Sequence, residues 1–182
     1  TLYCENNNVI ENQNSELVSC INKINENGGS ADLGTQKYNS NYSFDADELS
    51  SLTEFANSSL NLEKLGWNLD DPYTWKGVEW KIYGDEYHIA SVNFDDLDLE
   101  GSLYLPESEY LKSVSCTNSS LSTLNLNGCT ALEDVNCYNS GISDLQINEC
   151  NAINAINCDE NYLAVEDVKS SLNQIGLNTG LA

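Results

Sequence analysis

Arginine and methionine are absent from this sequence, and histidine occurs once, as His88. Without arginine the chain lacks the side chain best suited to bidentate capture of carboxylate or phosphate. Seven lysines stand against 29 acidic residues, giving a net charge of −22. Such a field repels nucleic-acid phosphates and anionic membrane surfaces, which are bound through Lys and Arg. Partners are therefore expected to be neutral, cationic or metal-bearing, unless the charge serves solubility alone. No run of 18 apolar residues occurs, so no membrane-spanning helix is predicted. A chain that starts at Thr1 and has no Met is expected to be a processed form, with a removed secretion signal as one explanation. No Gly-rich phosphate loop, zinc-ligand spacing or nucleophile motif is present, and no Ser or Cys near His88 carries such a motif. No cofactor and no resident metal are expected, and the chain is not expected to be an enzyme.

What the chain does have is a repeat. Leu111-x-x-Val114-x-Cys116-x-x-Ser119-x-Leu121 recurs as Leu132-x-x-Val135-x-Cys137-x-x-Ser140-x-Ile142 and as Ile153-x-x-Ile156-x-Cys158-x-x-Asn161-x-Leu163, each copy 21 residues on. An earlier copy, Ile89-x-x-Val92-x-Phe94-x-x-Leu97-x-Leu99, lies 22 residues before the first. A fixed period in this range marks a solenoid, in which each coil buries its apolar row only against its neighbours. Each coil also carries a second half-repeat, Leu121-x-x-Leu124-x-Leu126-x-x-Cys129 and Ile142-x-x-Leu145-x-Ile147-x-x-Cys150. Both halves are compatible with extended backbone, predicting two short strands per coil.

The cysteines follow the same register. Cys116, Cys137 and Cys158 share one repeat position, and Cys129 and Cys150 share another. At inward-facing sites free Cys behaves as a small hydrophobe, and parallel side-chain vectors on stacked coils are poor disulfide geometry. These five are expected to be reduced packing residues. Cys4 and Cys20 lie outside the array and are either a disulfide closing a short loop or two free thiols.

Upstream, Val9, Ile10, Leu17, Val18, Ile21 and Ile24 give residues 9–26 a helical pattern that Gly28-Gly29 ends. Residues 30–43 read as polar loop. A second helix is predicted from Asp45 or Asp47, with Leu49, Leu52, Phe55 and Ala56 on one face and Asn57-Ser58-Ser59 at its end. Beyond the repeats, Val165, Val168, Leu172 and Ile175 predict an amphipathic helix that starts at Glu166-Asp167 and stops at Gly176.

Between the second helix and the repeats stands Leu65-Gly66-Trp67-Asn68-x-x-Asp71-Pro72-x-x-Trp75-x-Gly77-Val78-x-Trp80, followed by His88-Ile89-x-x-Val92. This stretch resembles the N-terminal cap of plant-type leucine-rich repeat proteins, whose signature runs Trp-Asn, then Asp-Pro-Cys-x-Trp-x-Gly-Val-x-Cys. Both cap cysteines are missing here; Tyr73 and Trp80 stand in their places, so an aromatic contact is expected where the family has a disulfide. The 21-residue copies resemble bacterial leucine-rich repeats of the form LxxLxCxxNxLxxLxLxxCxxL. The resemblance implies an α/β fold, a right-handed leucine-rich repeat solenoid of about three and a half coils with short parallel strands and helical caps. It divides the chain into a helical N-terminal region and cap (1–88), repeats (89–165) and a C-terminal capping helix (166–182). His88 falls just before the first strand, where the plant-type cap often has Arg.

Two candidate sites follow. Asp96 to Glu107 satisfies an EF-hand loop by spacing, with oxygen ligands at relative positions 1, 3, 5 and 12 and Gly101 at position 6. Leu97, Leu99, Leu103 and Leu105 nevertheless fall on the repeat's inward rhythm, so the segment is expected to be a solenoid strand and not a calcium loop. Carboxylate pairs such as Asp95/Asp96 are too common in so acidic a chain to mark catalysis. The other candidate is the outward face of the strands: Ser91, Asn93, Lys112, Ser113, Ser115, Glu133, Asp134, Asn136, Asn154 and Asn157, with Tyr138 just beyond. It is polar and short of the aromatic anchors that dominate most interfaces. The expected role is a non-enzymatic binding or adhesion module of a secreted or cell-surface bacterial protein, contacting protein or glycan as a monomer. The alternative is a structural spacer that presents another domain.

Overall fold

The computed structural model describes residues 2–3, 31–32 and 42–164. The chain divides into two compact units, residues 1–43 and 44–182. In the first, β1 (Leu2–Tyr3) pairs in parallel with β2 (Ala31–Asp32). The helix predicted over 9–26, the Cys4/Cys20 pair and the helix predicted over 165–175 all lie outside the described residues.

The second unit contains a parallel-strand solenoid of about three turns. After the two-residue strand β3 (Ser43–Phe44), one sheet runs through β5 (Glu86–Asn93), β7 (Ser113–Ser115), β9 (Asp134–Asn136) and β11 (Ala155–Asn157). The other runs through β6 (Glu100–Tyr104), β8 (Ser120–Asn125) and β10 (Asp144–Gln146). Each of the first three coils therefore contributes one strand to each sheet, as the two half-repeats predict, and β11 adds a fourth strand to the first sheet. Register sets like on like: Val92 pairs with Val114, Val114 with Val135, and Val135 with Ile156. In the second sheet Leu103 pairs with Leu124, and Leu124 with Leu145. Leu111, Leu132 and Ile153 precede the strands of the first sheet at matching positions, and all three are buried.

Burial follows the period of two within the strands. Val114 and Val135 are buried between half-buried or exposed polar neighbours. Between the sheets lie Phe94, Leu99, Leu105, Leu121, Leu126, Ile142 and Ile147, with Cys116, Cys129, Cys137 and Cys150 filling the narrower positions. Each aliphatic side chain so buried contributes about 1.5–3 kcal/mol. Leu97 departs from the inward rhythm: it is only half-buried, because the chain turns there between Asp96 and Asp98, both at positive φ. Cys158 is likewise half-buried. Strand β6 runs through the middle of the segment with EF-hand spacing, and extended backbone at 100–104 cannot wrap an ion.

The first coil is entered through α1 (Ala46–Asn57) and α2 (Asn61–Leu65). Asp45 caps α1, its Oδ1 accepting from the N–H groups of Asp47 and Glu48 at 3.1 and 2.9 Å. Asn61 is fully buried and treats β6 as a strand would. Its Nδ2 donates to Glu100 O and its Oδ1 accepts from Glu100 N, both at 2.9 Å. Ser51 Oγ donates to Tyr104 O further along the same strand.

Three tryptophans then pack below the helices. Trp67 and Trp75 stack at 4.4 Å, Trp67 lies 5.7 Å from Phe94, and Trp80 lies 6.1 Å from Trp75. All three indole N–H groups donate to main-chain carbonyls, of Lys76, Asn68 and Pro72 respectively. Tyr73 and Trp80 do not pack ring on ring as expected: Tyr73 lies 6.0 Å from Tyr87 and Trp80 lies 4.8 Å from Phe44, while the Trp80 bond to Pro72 links the two segments.

One element is new relative to the sequence reading. β4 (Val78–Tyr83) pairs antiparallel with β5 around Gly84-Asp85, with Gly84 at φ +62. β5 begins at Glu86, so His88 lies inside the strand and not before it. Among the described residues sheet outweighs helix.

Gly77 sits at φ +84, where an added Cβ would lie 2.3 Å from Asn93 O, the end of β5. Gly84 shares a positive φ, but its Cβ would meet nothing within 4 Å. Gly84→Ala should therefore cost only the left-handed penalty of about 1–2 kcal/mol. Gly77→Ala should cost clearly more. Chemical denaturation of both variants checks this, and equal losses would contradict the packing described for Gly77.

Candidate functional site

The outward residues of the first sheet do come together. Ser91, Ser113, Asp134 and Ala155 form one row, and Asn93, Ser115, Asn136 and Asn157 the next. Lys112, Glu133 and Asn154 precede them, joined by main-chain bonds from Glu133 N to Lys112 O and Asn154 N to Glu133 O, both 2.8 Å. The strands β7, β9 and β11 floor a shallow depression of about 270 Å³.

Much of this face is already engaged. Lys112 Nζ lies 2.8 Å from Glu133 Oε1. Ser115 Oγ donates to Asp95 Oδ1 at 2.7 Å, and that oxygen also accepts from Thr117 N. Ser91 Oγ donates to Glu79 Oε2 at 2.9 Å; bonds from Lys81 and Ser91 hold the Glu79 carboxyl below its ordinary range. Asn93, Asn136 and Asn157 each accept, through Oδ1, the N–H two residues on, at 3.1, 3.3 and 3.4 Å. These are Asx turns that end the strands. Tyr138 stands off the sheet and is substantially exposed.

A second and larger concavity lies at the turns that follow β5, β7, β9 and β11. Here Asp96, Asn118, Asn139 and Glu160 occupy matching positions at φ between 51 and 60. Asn and Asp tolerate this left-handed backbone better than other side chains. Successive turns are tied by main chain, Asp96 N to Thr117 O, Asn118 N to Tyr138 O and Asn139 N to Asp159 O. They are tied again by side chains, Asn118 Nδ2 to Asp96 Oδ1 at 2.7 Å and Asn139 Nδ2 to Asn118 Oδ1 at 2.9 Å. Beside this ladder opens a groove of about 550 Å³, lined by Asp98, Asn118, Ser119, Ser120, Asn139, Gly141, Glu160 and Tyr162. Tyr162 is 80 % exposed.

One position of the next row differs between coils. Ser140 Oγ donates to Cys116 O at 2.6 Å, and Asn161 Nδ2 donates to Cys137 O at 2.7 Å. Ser119 Oγ, the equivalent atom one coil earlier, is buried with no hydrogen-bond partner among the described residues. The groove was not legible from the strand pattern, because its lining comes from turn positions. The recurrence of Asn118 and Asn139 at 21 residues is the signal that marks it.

The remaining reactive groups among the described residues are the array thiols and His88 with its carboxylate neighbours. Burial pushes the Cys116 and Cys129 thiols up to about 12 and Cys150 to about 11, and raises Cys137 and Cys158 as well. Thiols in that range are not nucleophiles near neutral pH. His88 Nδ1 lies 3.6 Å from Glu48 Oε1 and 3.9 Å from Asp45 Oδ2. Glu48 is itself buried; desolvation raises its pKa, opposed by a 2.7 Å bond from Ile89 N and by His88.

Comparisons of the chain with protein-family models, with curated proteins and with solved structures found no match.

The thiols give a direct check on the coil packing. Denatured protein should titrate at least the five array cysteines that are free in the structure, and native protein far fewer over the same time. Finding disulfides among Cys116, Cys129, Cys137, Cys150 and Cys158 would contradict the register.

Proposed function

We propose that this chain is a non-enzymatic binding module of a secreted or cell-surface bacterial protein, built as a right-handed leucine-rich repeat solenoid, and that its ligand is a glycan. The cap resemblance, the 21-residue register and the near-universal right-handedness of parallel crossovers support the finer fold reading. In it, α1 and α2 form the N-terminal cap through the Asn61 and Ser51 contacts to β6. The predicted helix from Val165 closes the other end.

The observation that carries the functional reading is the groove beside the turn ladder. Its carboxylates Asp98 and Glu160 accept hydrogen bonds, its amides Asn118 and Asn139 donate and accept, and Tyr162 projects an aromatic face beside them. Sugar hydroxyls need that mixture of fixed acceptors and donors, and a sugar's apolar face packs on an exposed ring. Among the described residues the charged groups lining the groove are the carboxylates Asp98 and Glu160, so an anionic ligand is disfavoured. On the strand face Lys112, Ser91, Ser115, Asn93, Asn136 and Asn157 are bonded internally, and it offers no ring as exposed as Tyr162. That same internal satisfaction favours the second reading, a spacer whose polar surface serves stability and solubility.

Arrays of glycans and of proteins, probed with the full chain, separate these readings. Binding to a neutral glycan, reduced about tenfold or more by Tyr162→Ala with the melting curve unchanged, is the expected result. An exposed side chain of this kind contributes within about 0.5 kcal/mol to stability. Protein binding unaffected by Tyr162→Ala would move the site to the strand face, and silence on both arrays would favour the spacer.

A further inference from the structure

We propose that Asp45, Glu86 and His88 form a binding site for a divalent first-row transition metal of the zinc class. The site arises from strand geometry. Glu86 and His88 are two apart on β5, so their side chains leave the same face of the sheet. Asp45 donates its N–H to the carbonyl of Tyr87, the residue between them, at 2.9 Å, which sets Asp45 beside that pair. One ligand atom from each side chain, an imidazole nitrogen and two carboxylate oxygens, lies within 4.8 Å of the other two. Zinc bonds of about 2.0–2.2 Å to nitrogen and oxygen need a somewhat tighter set, which rotation about the side-chain torsions would have to supply.

Two of the three ligands are already oriented. Asp45 uses Oδ1 for the α1 cap, which leaves Oδ2 turned toward His88 Nδ1 at 3.9 Å. His88 packs against Tyr110 at 4.4 Å, and Tyr110 stacks on Tyr83 at 4.2 Å, so the imidazole has an aromatic wall. Behind it stands Glu48, with Oε1 at 3.6 Å from Nδ1 and its oxygens held by Ile89 N and Ser108 Oγ. Three carboxylates thus surround one imidazole, an excess of negative charge that a dication would offset. The presence of imidazole selects zinc-like ions over calcium and magnesium, which take oxygen ligands. A bound ion would tie the start of α1 to β5, with water completing the coordination that three protein ligands leave open.

The test uses the full chain, stripped with chelator, reduced, and titrated with Co(II) and Zn(II) in excess magnesium to suppress loose binding by surface carboxylates. One equivalent of Co(II) should bind with visible d–d absorption and without the thiolate charge-transfer band that Cys4 or Cys20 ligation would give. Saturating zinc should raise the melting temperature, as any ligand of the folded state does. His88→Gln removes the nitrogen, and Asp45→Asn removes one ligand charge while keeping a good helix cap. Each should weaken binding about tenfold or more, with circular dichroism unchanged. Absence of saturable binding to the folded parent, a thiolate band, or unchanged affinity in both variants would overturn the site. Should one variant fail to fold, the other decides.

Discussion

A single coil of this protein cannot hold itself together, and every other feature answers to that constraint. Its inward row is a handful of aliphatic and cysteine side chains, and its strands of three to eight residues would alone leave main-chain groups unpaired along both flanks. Parallel pairing in register removes both deficits at once. Val92, Val114, Val135 and Ile156 lie over one another, so each coil's apolar row is buried by its neighbours while the ladder satisfies the backbone. The repeat is then as much a statement about hydrogen bonds as about hydrophobic burial. At the first coil, where β6 is the edge of its sheet among the described residues, the side chain of Asn61 supplies the donor and acceptor that a preceding strand would have offered to Glu100.

Turning a coil this tightly needs left-handed backbone, and the residues found there explain the composition. Asp96, Asn118, Asn139 and Glu160 recur at positive φ, and the amides among them bond from coil to coil. Asparagine therefore does two jobs in this chain, relieving turn strain and extending the ladder through side chains. A polar surface so employed has limited capacity for ligands. What remains accessible is where turns protrude past the ladder, at Asp98, Glu160 and Tyr162.

The repeat positions Leu111, Val114 and Cys116 and their later copies were legible because burial and register impose the same spacing on each coil. The tryptophan cluster ahead of the first coil was legible through Trp67, Trp75 and Gly77, whose roles depend on shape and backbone conformation. Features that depend on one coil differing from the next were not. Leu97 occupies an inward position in the pattern yet lies half-buried at a turn. The hairpin of β4 and β5 had its signal in Gly84-Asp85, a two-residue turn flanked by Tyr83 and Glu86, but reading that stretch as a run-in to the first repeat set His88 outside the strand. The outward strand residues were placed correctly in rows, whereas their internal bonds, such as Ser115 to Asp95, rest on tertiary geometry that spacing does not encode. The neighbours of His88 were hidden for the same reason: Asp45 reaches it only through pairing with Tyr87.

The fold and the surfaces it builds depend on parallel, in-register stacking of the coils. Nuclear Overhauser contacts in the isotope-labelled chain measure it directly. The side chains of Val114 and Val135, and of Val135 and Ile156, should give strong mutual contacts, with main-chain contacts joining the flanking residues in the parallel pattern. An antiparallel pattern, a register offset by one residue, or no contact between Val114 and Val135 would contradict the solenoid.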